Sequence, residues 1–283
     1  MKQENFWRHL RMEKYSVLMS LYKKEKGEYL KKAIDSMINQ TVKPDEIIIV
    51  KDGPLTDELN NIVDLYKKSN KKLFTIVPLE TNHGLGLALN EGLKVSRNEL
   101  VARMDTDDIS KPNRCEEQLK IFEKDDELVI CGTNIDEFNG EIDNITGHRV
   151  VPETNKDIYI FAKRRSAFNH PTVMYKKSKV LENNGYSDLR RNQDVDLFGR
   201  MIFAGCKAYN IQNSLLWFRS DDELAKRRKS WENSKSYIGT IKKFWKMGYS
   251  SFIDYIFVLI AQTGMFLMPV KLQHLIYKKF LRK

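Results

Sequence analysis

The chain has 283 residues, 41% of them hydrophobic and 30% charged, which excludes a disordered chain and allows one large domain with an appendage. Three scattered cysteines, Cys115, Cys131 and Cys206, exclude a disulfide framework or a structural zinc site, and the polar start offers no secretory leader, so a reducing cytosolic setting is expected. The formal net charge of +10 is gathered at one end, where residues 226–283 hold 13 Lys and Arg against Glu232 and Asp254, and this points to an anionic partner for the tail.

Strand-like and helix-like runs alternate through the first half. Tyr15–Leu21 (YSVLMSL) is apolar and bounded by charge, which predicts a buried strand; Glu28–Gln40 carries apolar residues at helical spacing. Glu46–Val50 predicts a second strand, ending at Asp52-Gly53-Pro54, and Asp57–Lys68 a helix. Leu73–Val77 is a third strand, and the loop holding Asn82-His83-Gly84 leads into a helix over Leu85–Val95. Glu99–Met104 is a fourth strand, and it delivers Asp105-Thr106-Asp107-Asp108. A helix over Asn113–Lys124 and a strand over Leu128–Cys131 follow. This alternation predicts an α/β fold, a parallel sheet with helices on both faces, in which ligands bind beyond the C-terminal strand ends. Leu21-Tyr22, Asp52 and Asp105–Asp108 all fall at such ends.

The second half is less regular. Asn134–Phe138 and Ile142–Val151, joined through Asn139-Gly140, predict a hairpin. Helices are expected over Asn155–Lys163 and Gln193–Ala204, and short strands at Val173–Tyr175 and Leu215–Phe218. The body is expected to end near residue 222, with 223–283 a basic and apolar helical tail. Phe252–Pro269 is apolar but interrupted by Asp254 and Gln262-Thr263-Gly264, so it falls short of the roughly 20 apolar residues of a spanning helix. Val270–Lys283 reads as a basic amphipathic helix suited to an anionic leaflet.

Carboxylates crowded on one loop repel one another, and a hard divalent cation, Mg²⁺ or Mn²⁺, offsets that repulsion while sharing oxygen ligands with a diphosphate. Asp107 is the expected metal ligand and Asp105 the expected ribose contact; a simple helix start at Asp108–Pro112 would use the same acids without a ligand. Asp52 either opens a turn or accepts from a nucleobase N–H, with Tyr22 lining the base. Asp194, at the start of a helix, is either a dipole-favoured acid or a general base, and Asp196 faces another side. His170 and the pair Arg227-Arg228 are candidate contacts to an acceptor or a diphosphate.

In order, SVLMSLY, EIIIVKDG, ETNHGLGLALNEGL, ARMDTDDIS and NHPTVMYKKSKVLENNGYSDLRRNQDVDLFGRM resemble the family 2 glycosyltransferases over about residues 14–220. Within that family the likeness is to bacterial capsule and exopolysaccharide transferases of the amylovoran or colanic-acid type. The resemblance implies a GT-A fold, with a mixed and mainly parallel sheet, and inverting transfer from a nucleotide-diphosphate sugar. It implies that Tyr22 and Asp52 hold the base, Asp105 the ribose and Asp107 the metal, with Leu21 and Gly84 beside the donor and Asp194 the catalytic base. It further implies a polyprenyl-diphosphate-linked acceptor and a peripheral place on the inner face of the cell membrane.

The sequence departs from the family pattern at Lys51-Asp52, at Ser20-Leu21-Tyr22-Lys23 and at Gln193-Asp194. The absence of Gln-x-x-Arg-Trp implies single-sugar addition rather than polymerisation. Two other classes remain: a sugar nucleotidyltransferase, for which SLYKKEKGE lacks the Gly-rich loop, and a non-catalytic membrane or nucleic-acid binder. Nucleic acid is not expected as a partner, because the body has no aromatic-lined basic groove.

Overall fold

The computed structural model describes residues 13–220 and 230–268. Its elements in chain order are β1 (Tyr15–Leu21), α1 (Gly27–Ile38), β2 (Glu46–Lys51), α2 (Asp57–Ser69), β3 (Phe74–Pro78), α3 (Leu85–Val95), β4 (Leu100–Arg103), β5 (Ile109–Ser110) and α4 (Arg114–Lys124). They continue with β6 (Leu128–Phe138), β7 (Ile145–Arg149), α5 (Asn155–Ala162), β8 (Met174–Lys176), α6 (Lys177–Glu182), α7 (Gln193–Phe203), β9 (Lys207–Arg219), α8 (Trp231–Lys246) and α9 (Phe252–Leu267).

All nine strands join one mixed sheet in the order β3-β2-β1-β4-β8-β6-β9-β5, with β7 beside β6. The first four strands in that order pair in parallel, and β8 then runs antiparallel to both β4 and β6. Both faces are covered, which is why β1 and β2 read as continuous apolar runs rather than alternating ones. Tyr15, Val17, Met19 and Leu21 meet α1, α2 and α4 on one face; Leu18, Ile48 and Val50 meet α3 on the other, in a core shared with α5 and α7.

Two expectations are corrected. Leu128–Cys131 and Asn134–Phe138 form one 11-residue strand, β6, which continues through Gly132. A Cβ at Gly132 would lie 2.2 Å from Asn210 Oδ1, so the glycine admits a buried amide where a break was expected. Leu215–Phe218 is only the end of the 13-residue β9, whose polar Asn210, Gln212 and Asn213 conceal the strand in sequence. The hairpin after β6 does form, with Gly140 at a positive φ of 75° and Asp136 opposite His148.

The start of the basic tail is built onto the body. Ile241 and Phe244 of α8 join the core beside α7, and a Cβ on Gly199 would stand 2.0 Å from the Phe244 ring. The apolar run expected to be interrupted is the single helix α9, with Ser251 and Asp254 forming a reciprocal cap at its start. Among the described residues no helix is long and apolar enough to cross a membrane. Arg227, Arg228, the expected boundary at 222 and the predicted helix Val270–Lys283 lie outside the described residues.

Candidate active site

The ends of β1, β2 and β4 open into a cleft of about 1240 Å³. One wall carries Tyr22, Glu25, Asp52, Gly84, Asp105 and Asp107; the other comes from residues 187–191 and α8, including Arg190, Arg191, Lys235 and Lys243. Of the residues singled out in the sequence, Tyr22, Asp52, Gly84, Asp105, Asp107 and Asp196 line this cleft together. The Leu21 side chain is fully buried in the core, and its carbonyl accepts the Asp52 amide at 2.8 Å.

Asp52 holds the loop that begins α3. Its Oδ1 accepts from the His83 amide at 2.7 Å, and its Oδ2 from the Gly84 amide at 3.0 Å and from Asn82 Nδ2 at 2.8 Å. A carboxylate offers about four acceptor positions, so one remains for a ligand. Gly84 takes a φ of 88°, and a Cβ there would meet Arg190 Nη1 at 3.1 Å. The Asp52 carboxylate thus ties down residues 82–84 rather than a turn through Gly53-Pro54, and still has room for a ligand.

Beyond β4 the chain turns sharply, and Asp105, Asp107 and Asp108 each present a carboxylate oxygen, all within 4.8 Å of one another. Burial first, and then the charges of Asp105 and Glu25, push the Asp107 carboxyl up to about 7. Burial and its two neighbours raise Asp108 as well. Asp108 Oδ1 accepts the Arg219 amide at 2.9 Å, while its buried Oδ2 has no protein partner. A divalent cation would relieve both the repulsion and the stranded oxygen, so these residues suit one.

Three residues that sequence reasoning missed shape this loop. Glu25 accepts from Thr106 Oγ1 at 2.6 Å, and burial raises its pKa. Arg219, at the end of β9, donates through Nε to the Asp107 carbonyl at 2.9 Å and lies 3.7 Å from the centre of the Tyr29 ring. Arg103 is 1% exposed and pairs with Asp105, while its Nε and Nη1 have no protein partner. An arginine inside the apolar strand VARM was the one available signal, because a buried charge needs a partner. Glu25 and Arg219 are brought in by the fold alone.

Asp194 and Asp196 part company on α7. Asp196 is fully buried and accepts from Ser187 Oγ at 2.5 Å, Arg200 Nε at 2.9 Å and Lys243 Nζ at 2.5 Å. Despite burial, these donors hold its pKa below the usual range. Asp194 is half-buried, with no ion pair among the described residues, and burial raises its pKa while its own and the Val195 amides and Arg103 partly offset the rise. It does not line the cleft, yet Arg103 acts electrostatically on both Asp194 and Asp107. His170 does not line the cleft either: its Nε2 stands 3.0 Å from the Tyr186 hydroxyl, and burial keeps the ring neutral.

The Glycosyl transferase family 2 profile matches residues 16–186. The chain is 36% identical to the UDP-Gal:alpha-D-GlcNAc-diphosphoundecaprenol beta-1,3-galactosyltransferase of Escherichia coli, over 95% of this chain and 97% of that one. It is 35% identical to the amylovoran biosynthesis glycosyltransferase AmsE of Erwinia amylovora, over 94% and 98%. Among solved structures, S. aureus TarS 1-349 in complex with UDP-GlcNAc superposes with a TM-score of 0.59 at 16% identity, covering 89% of this chain and 80% of that one. GalNAc-T7 with UDP, GalNAc and Mn²⁺ gives a TM-score of 0.67 at 14% identity, covering 95% and 54%. These two share the fold, a GT-A-like mixed sheet flanked by helices. The chain belongs to glycosyl transferase family 2, and it is a glycosyltransferase.

Proposed function

We propose that this glycosyltransferase moves one sugar, with inversion, from a UDP-sugar to a lipid-linked saccharide on the cytoplasmic face of a membrane, in cell-surface polysaccharide synthesis. The observation that carries the reading is the trio Asp105, Asp107 and Asp108 at the end of β4, set in the cleft with Asp52 and Tyr22. The name of the E. coli relative supports the acceptor class, a saccharide on diphosphoundecaprenol, and the TarS complex supports the uridine donor.

Tyr22 and Asp52 hold the base, and Asp105 the ribose. Asp107 holds Mg²⁺ or Mn²⁺, with Asp105 and Asp108 as the other carboxylates in reach. When bound, the ion supplies Lewis-acid neutralisation of charge on the nucleoside diphosphate. Asp194 takes the proton from an acceptor hydroxyl, whose oxygen bonds to the anomeric carbon as the sugar–phosphate bond breaks. Asp194, assigned by the family resemblance although it stands outside the cleft lining, is preferred to Asp196, which lines the cleft but whose carboxylate three donors already occupy. The acceptor enters along residues 187–191 and α8, where Arg191 and Lys235 face the cleft. The tail's positive charge draws the enzyme to anionic lipid.

The test is a panel of nucleotide sugars with Mn²⁺ or Mg²⁺ and a polyprenyl-diphosphate saccharide. The expected result is UDP release coupled to a product one sugar longer. Release of pyrophosphate from a sugar 1-phosphate and a nucleoside triphosphate would favour a nucleotidyltransferase instead.

A further inference from the structure

Helix α9 carries a surface that the transfer chemistry does not use. Ile253, Phe257, Ile260 and Leu267 are 73%, 55%, 67% and 74% exposed, and Gly264 between them is exposed too. Spaced 4, 3, 4 and 3 residues apart, these five positions form one stripe along the helix. Asp254 is the helix's sole charged residue; it is buried, caps the first turn and pairs with Arg164. A contiguous exposed apolar surface of this kind marks an interaction site.

The surroundings favour lipid over protein as its occupant. Trp245 stacks on Tyr255 and contacts Phe252 at the helix start, and Trp231 contacts Phe266 near its end. Such aromatic groups at both ends suit a membrane–water boundary. Arg164, paired with Asp254, lies over the Phe257 ring, and Arg165, without an ion pair among the described residues, is exposed nearby, so the rim keeps a positive charge. A 16-residue helix is about 24 Å long, short of a hydrocarbon core of about 30 Å, so it lies in the surface rather than crossing it. A paired coiled coil would want charged flanks to the stripe, and Ile256, Ala261 and Thr263 are uncharged. The Trp231–Phe266 contact also sets the end of α9 beside the turn of α8 that carries Glu232, Lys235 and Ser236 of the cleft.

We propose that the exposed face of α9 is a lipid-contact surface, inserted at the boundary of a bilayer so that the adjoining cleft meets a membrane-held acceptor. The preference for lipid over a protein partner rests on the lipid-linked acceptor reading. The experiment compares the full chain with the F257E and I260E variants, combined, on vesicles of phosphatidylethanolamine and phosphatidylglycerol. High salt is included because it screens attraction by basic residues but leaves apolar insertion in place. Wild-type binding is expected to survive salt, and the double variant to bind at least about tenfold more weakly.

A conservative F257L variant checks that apolarity rather than the ring matters, and it is expected to bind like wild type. Donor hydrolysis in detergent-free buffer is expected to match in all forms, which separates a folding failure from a docking failure. Equal vesicle binding by the double variant would overturn the proposal. So would a wild-type dimer that the double variant dissolves without losing vesicle affinity. Failure of UDP-sugar hydrolysis in wild type would instead sink the proposed donor and leave the vesicle result standing.

Discussion

Two aspartates separated by one residue illustrate how surroundings assign chemistry. Asp196, held by Ser187, Arg200 and Lys243, is kept ionised and unavailable; Asp194, without an ion pair among the described residues, has its pKa raised by burial. Replacing Asp194 with Asn should lower the transfer rate by about a hundred- to ten-thousandfold, with UDP affinity retained. A base must be deprotonated, so the rate should fall on acidification through a pKa above the ordinary carboxylate range, and a pH–rate profile reads that limb. The acidic loop gives a second prediction. Asp107 is raised to about 7, so the metal-free folded state binds more protons than the unfolded chain between the ordinary carboxylate range and neutrality. Stability of the metal-free protein should therefore fall as pH rises toward 7, and Mn²⁺ should raise Tm most above that point. Thermal melts across pH, with and without the ion, check both. The loop itself was legible as DTDD after an apolar strand. Glu25 and Arg219 were not, because Glu25 lies 81 residues before Thr106 and Arg219 lies 112 residues after Asp107, and only folding brings them together.

At the level of elements, sequence pattern worked where burial is regular and failed where polar groups are buried in pairs. β1, β2 and α3 were visible as uninterrupted apolar or helical runs, since both sheet faces are covered. β9 was hidden because buried Asn210 donates to the carbonyls of Pro152 and Ala167, partners that a one-dimensional pattern does not contain. The join between α7 and α8 was equally invisible, since it depends on Gly199 admitting the Phe244 ring. Gly199→Ala should therefore destabilise the protein by about 1–3 kcal/mol, measured by chemical denaturation, because the added methyl overpacks that contact. Asp196→Ala removes the polar tie between the same helices and strands the partly buried Arg200, a loss of about 2–3 kcal/mol. Its sign with pH is opposite to that of Asp107. A depressed folded pKa contributes stability above the unfolded value, and that contribution disappears as acid takes the pH down through the folded one.

On the scale of the whole molecule, the far wall of the cleft is made partly by residues 187–191 and partly by α8, which belongs to the segment whose composition set it apart as a tail. α8 is fixed to α7 through Ile241, Phe244 and Lys243, so the basic tail begins as part of the cleft's enclosure before it reaches α9. In the proposed mechanism a donor diphosphate would be served by the aspartate loop and its cation. A diphosphate on the acceptor needs cations of its own, and Arg191 and Lys235 are exposed on the wall where that acceptor is proposed to enter. Arginine and lysine both hold phosphate by charge-assisted hydrogen bonds, each worth about 1.5–3 kcal/mol. Changing Arg191 and Lys235 together to Ala should raise KM for a polyprenyl-diphosphate acceptor by at least about tenfold. The same variant should leave UDP-sugar hydrolysis, and KM for an acceptor sugar lacking the diphosphate, close to wild type. If the two acceptors lose affinity alike, the wall recognises the sugar instead, and the diphosphate must be bound elsewhere.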